Sequence, residues 1–175
     1  MKVTRRGMML GALAVPAAAG LANWQWQMGG NSSLLHDDTL AAGRRFADAA
    51  RASGGYSRAI TGDMVRLGRE VVADAPALIA GISRHAEALL LGEVAAEAGY
   101  VLASEFLGKA DGCSANTCHS HWLPLNRMAV AARGNWAETL AAWAVNPQRG
   151  EWPAATGPAT SDREMAIGWV LVPRA

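Results

Sequence analysis

Apolar residues recur along the chain mostly at helical spacing. Ile60, Met64, Leu67 and Val71 fall at i, i+4, i+7 and i+11, one stripe of a helix over 57–73. Before it, Asp37 and Asp38 stand where N-caps belong, and Gly54-Gly55 is a strong stop, which predicts a helix over 39–53. Asp74 ahead of Pro76 marks the next start. The segment 76-PALIAGISRHAEALLLGEVAAEAGYVLASEFLGK-109 places Leu78, Ile82, Leu89, Ala96, Ala103 and Leu107 on one helical face. As a single helix it would reach about 50 Å, so a break is expected near Gly92 or Gly99, glycines that also let another helix approach closely.

Leu123 to Arg133 reads as a short helix closed by Gly134. Asn135 and Glu138 then stand at the spacing of a capping box and open a helix that ends at Asn146-Pro147. Pro147, Pro153 and Pro158, with Gly150 and Gly157, predict coil beyond it. Residues 166-AIGWVLVP-173 suit either a strand or a docked extended tail. The expected organisation is a signal at 1–22, a linker at 23–36, a helical domain at 37–147, and a coil tail at 148–175 with room for a short strand at 166–172. The expected fold class is all-α: a single bundle of four to five helices with an irregular, tryptophan-rich C-terminal tail.

Composition supports that expectation. The chain has 175 residues, 51% of them apolar, with alanine the dominant apolar type; alanine favours helix over sheet. Five of the seven tryptophans lie between Trp122 and Trp169. They are expected to close one end of the bundle by packing, the alternative being a wall around a cofactor or a partner surface. The formal charge of +1 offers nothing to a nucleic acid.

The N-terminus, 4-TRRGMMLGALAVPAAAGLA-22, has paired arginines, an uncharged run and a small-residue end, in the order of an export signal. It resembles a twin-arginine signal, which implies a periplasmic location. Cleavage is expected after Ala22; losing Lys2, Arg5 and Arg6 takes the formal charge from +1 to −2. The alternative is an uncleaved membrane anchor through residues 7–22. Those 16 uncharged residues span about 24 Å as a helix, short of the roughly 30 Å hydrocarbon core, and Trp24 and Trp26 follow at the interface position.

Candidate chemistry concentrates in 111-DGCSANTCHSHW-122, which holds both cysteines, Cys113 and Cys118, and two of the four histidines, His119 and His121. Three readings stay open. An exported chain favours a Cys113–Cys118 disulfide across small, turn-forming residues. Cys113, Cys118, His119 and His121 also make four nitrogen and sulfur ligands for a transition metal. Finally, Cys113-x4-Cys118-His119 resembles the C-x4-C-H variant of the haem attachment motif in some multihaem cytochromes c. That resemblance implies thioethers to both sulfurs, iron ligation by His119, and a sixth ligand from Met128, Met64 or His85. The paired cysteines and downstream histidine also faintly resemble alkylhydroperoxidase D-like proteins, which implies thiol redox chemistry, although four residues between the cysteines lose the helix-N-terminal geometry that activates such thiols.

His85 sits on the apolar stripe, where a hydrogen-bonded core histidine is the ordinary role; with His119 holding a metal or haem it becomes the best distant ligand. Glu87, Glu93, Glu97 and Glu105 stand with no Lys or Arg between Arg84 and Lys109, a solvated acidic face. No Glu-x-x-His, Gly-x-Ser-x-Gly, P-loop or dinucleotide fingerprint occurs. The functional expectation is an exported small helical protein that binds a metal or c-type haem through its Cys/His loop. The alternatives are a non-catalytic, disulfide-stapled partner subunit of a larger exported oxidoreductase and a thiol peroxidase-like protein. A protein partner is expected, and an enzyme is not the favoured class.

Overall fold

The computed structural model describes residues 31–109, 112–116, 122–147 and 164–174. They form a six-stranded mixed sheet flanked by five helices, which corrects the all-α expectation. The order is β1 Ser32–His36, α1 Ala41–Ala52, β2 Ser57–Ala59, α2 Met64–Ala73, β3 Leu78–Ser83 and α3 His85–Glu97. Then come β4 Tyr100–Lys109, β5 Gly112–Asn116, α4 Leu123–Ala131, α5 Trp136–Val145 and β6 Ala166–Pro173.

In the sheet the strands run β2-β1-β3-β6-β4-β5. β1 pairs in parallel with β2 and β3, and β6 is antiparallel to both β3 and β4. The strand at 166–173 is therefore not a docked tail but the strand that joins the parallel half to the antiparallel half. Its side chains alternate without a break: Ala166, Val170 and Val172 enter one core, and Ile167, Trp169 and Leu171 the other. Such double-sided burial needs the near-continuous apolar run that AIGWVLVP supplies.

The expected long helix over 76–109 resolves into β3, α3 and β4. LIAGIS is buried at every position, and a short apolar run of that kind carries no period that separates strand from helix. Gly99, in the left-handed region at φ 87°, ends α3 and turns the chain into β4. Gly92 breaks nothing and lies inside α3. The stripe over 57–73 likewise spans a strand, a loop and a helix: Ile60 follows β2, and Asp63 caps α2 by accepting from the Val65 and Arg66 N–H groups at 2.8 and 3.0 Å. The segment read as linker contributes β1 from Ser32 onward.

Helices α1, α4 and α5 cover one face, packing Phe46, Leu125, Trp136 and Leu140 on Leu78, Ile82, Phe106 and Val170. Helices α2 and α3 cover the other, packing Leu67, Val71, Leu91 and Ala95 on Leu35, Ile79, Trp169 and Leu171. The tryptophans divide between the faces. Trp122 and Trp143 meet edge to face at 6.4 Å on the first, where Trp136 lies over the slot left by Gly108 and Gly168. Trp169 lies over Gly81 on the second and donates through Nε1 to Ser83 Oγ at 3.0 Å. All four are buried between helix and sheet; Trp152 is outside the described residues. No helix among the described residues is long and apolar enough to cross a membrane, and residues 7–22 lie outside them.

Candidate functional site

Of the Cys/His constellation, the described residues include Cys113 alone. Cys113 is on strand β5, with its side chain partly buried against the first-face core, and its thiol is free. Burial pushes that thiol up to about 12, so it is protonated at neutral pH; the thiolate is the form that ligates metals and attacks disulfides. Cys118, His119 and His121 lie outside the described residues. Of the proposed distant ligands, Met128 packs on the first-face core and Met64 on the opposite one, while His85 opens α3 on that opposite side. Among the described residues, no group of three or more His, Cys, Asp and Glu is placed to hold a metal ion. The reading as a helical metal- or haem-binding redox protein is corrected by these findings. So are the disulfide-stapled and thiol peroxidase-like alternatives.

A different set of polar residues converges at the carboxyl ends of β1 and β3. These strands are neighbours, yet their following helices leave to opposite faces: α1 to the first, α3 to the second. Such a switch point leaves a crevice outside the strand ends, the usual ligand position in open α/β sheets. Asp37 follows β1 directly, its N–H bonded to the Ile82 carbonyl at 2.8 Å, and is only 3% exposed. Oδ1 accepts from the Thr39 N–H at 2.8 Å and from the Thr39 hydroxyl at 2.6 Å. Oδ2 is buried without a hydrogen bond and faces Arg84 Nε at 3.3 Å in an ion pair.

Arg84 immediately follows β3 and Ser83. Its Nη2 donates to Thr39 Oγ1 at 3.1 Å, so the guanidinium is anchored twice to the β1 loop while its side chain stays 55% exposed. The buried carboxylate would be costly without that cation, and it in turn fixes where the guanidinium points. A second guanidinium stands near: Arg44, in the first turn of α1, donates to the Asp38 and Thr39 carbonyls at 2.7 and 3.1 Å. The α1 N-terminus has no side-chain cap and no acid in its first turn, so its N–H groups add positive potential. Gly43 is required here, because the Asp37 carbonyl occupies the place a Cβ would take.

His36, the last residue of β1, shares a hydrogen bond of 2.9 Å between Nδ1 and Ser57 Oγ on β2. Its pKa is lowered, chiefly by burial, against the opposing pull of Asp38 and Asp37. The imidazole is therefore neutral at pH 7, and it ties the end of β1 to β2 rather than adding charge.

The sequence offered Asp37 only as a helix cap, and Thr39 and Arg84 had no signal of their own. The clue present was the polar turn HDDT directly after Leu34-Leu35, which becomes telling once those leucines belong to a strand. No protein-family model matches the chain, and neither a curated protein nor a solved structure does.

Proposed function

We propose that this is a small α/β ligand-binding domain that takes a small anion, a carboxylate or phosphate group, at the carboxyl ends of β1 and β3. The observation that carries the reading is Arg84. Its Nε and Nη2 are committed to Asp37 and Thr39, and Nη1 makes no hydrogen bond among the described residues. A guanidinium held this way offers a pre-placed donor, which reduces the ordering cost of binding. Arg44 and the uncapped α1 N-terminus favour the same sign of ligand.

Calorimetric titration with inorganic phosphate and with succinate tests this. One of the two is expected to bind, more weakly as salt rises, with the Arg84→Ala variant losing about tenfold or more in affinity, equivalent to roughly 1.4 kcal/mol. Arg84→Lys keeps the charge but not the fork and should recover part of the binding. Equal affinity in wild type and Arg84→Ala, in a variant that still melts cooperatively, would assign the Asp37–Arg84 pair to structure instead.

We also propose export by the twin-arginine route, supported by Arg5-Arg6 ahead of the uncharged run. Replacing both by lysine should trap the chain inside the cell with residues 1–22 intact. Continued export of that variant would refute the assignment.

A further inference from the structure

The two faces of the sheet are unequally covered. Among the described residues, three helices lie on the first face and two on the second, and none of them covers the second face beside α3, over β4. A groove of about 170 Å³ runs there between α3 and strands β4 and β6. Its floor is Trp169 and Leu171, and its rims are Leu89 on α3 and Leu102 on β4. The rim leucines are 56% and 40% exposed, a poor place for them unless something covers them.

Two carboxylates stand in this groove, Glu93 from α3 and Glu105 from β4. Among the described residues neither forms an ion pair, and no Lys or Arg occurs between Arg84 and Lys109 to neutralise them. His85 closes the upper end. The groove thus asks for an occupant that is apolar along its centre and cationic beside it.

Gly92 is an independent sign. It is inside α3, where glycine costs roughly 0.5–1 kcal/mol relative to alanine, and it lines the groove. Apart from its chain neighbours and its own helix backbone, no atom lies within 4 Å of where its Cβ would be, so no internal packing requires glycine there. Its effect is to lower the groove wall, which lets another backbone approach.

We infer that this groove docks a basic, amphipathic segment of a partner protein, with aliphatic side chains on Trp169 and Leu171 and a lysine or arginine between Glu93 and Glu105. The groove follows α3 from His85 to Glu93, about 12 Å along the helix, a length that suits two turns of a docked helix. A second copy of this chain fits less well, because a two-fold contact would set these glutamates against themselves.

The test pans a phage-displayed library of random 12-residue peptides on the full chain and on its Glu93→Lys/Glu105→Lys variant. Peptides recovered on the wild type should carry Lys or Arg three or four residues from Leu, Ile or Phe. By fluorescence anisotropy they should bind the double variant about tenfold more weakly or worse. Gly92→Ala should raise the melting temperature and weaken the same peptides, two opposite effects that a purely structural glycine would not produce. Equal recovery on both proteins, or selection of acidic peptides, would overturn the inference. So would a concentration-dependent dimer, by sedimentation, that the double variant abolishes, since that outcome gives the groove to a second copy.

Discussion

The thiol of Cys113 and the imidazole of His36 are both half-buried, and burial moves them in opposite directions because their charged forms have opposite signs. With its thiol pushed up to about 12, Cys113 holds about one ten-thousandth of its population as thiolate at pH 8, and alkylation runs through the thiolate. Iodoacetamide is expected to modify Cys113 in native protein far more slowly than in urea, read by peptide mass spectrometry; equal rates would contradict the burial. His36 has a pKa below its ordinary 6.5, so the unfolded chain takes up a proton more readily than the folded one. Stability should therefore be fully present above pH 6.5 and decline as the pH falls below it. Urea midpoints at pH 7 and pH 5 measure the decline, and His36→Gln should shrink it. Asp63, whose carboxylate is held below its usual range by the Arg66 and Val65 N–H groups, acts in a separate window, losing its contribution only as the pH drops through about 3.8 and below.

At the scale of elements, glycine and tryptophan work as pairs. Trp136 of α5 fits against β4 and β6 because Gly108 and Gly168 present no side chain there. A Cβ on residue 168 would stand 2.7 Å from the Trp136 ring and 3.2 Å from Leu140. Gly168→Ala is thus expected to cost about 1–3 kcal/mol, as overpacked cores do, measured as a lower urea midpoint at unchanged slope. The elements that the sequence made legible were those whose signals are local. The stop at Gly54-Gly55, the Asn146-Pro147 end of α5, and the break at Gly99, one of the two expected, all carry their own chemistry, whereas Asn135 forms no side-chain cap on α5. The parallel strands did not. Leu34-Leu35 and LIAGIS are apolar for burial from two sides, so they lack the alternation that marks a strand, and alanine in α1 and α3 biased the whole reading towards helix. The candidate anion site was hidden for the same reason: Asp37 and Arg84 are 47 residues apart and meet only because β1 and β3 pair.

For the whole molecule the decisive feature is β6, made last among the described strands yet seated between β3 and β4. While the chain is being synthesised, everything up to α5 exists before Ala166–Pro173 does, and the edges of β3 and β4 that β6 will occupy have no partner. A half-sheet in that state offers unpaired N–H and C=O groups and half of two cores, the features that template aggregation. Folding of this protein is therefore expected to complete only after β6 has been made. Ribosome-arrested chains ending at Asp162 should be digested readily by protease, whereas chains extended well past Pro173 should resist; resistance at the shorter length would mean that the first five strands fold unaided. Any process that needs this protein already folded would have to hold each nascent copy back until β6 had closed the sheet.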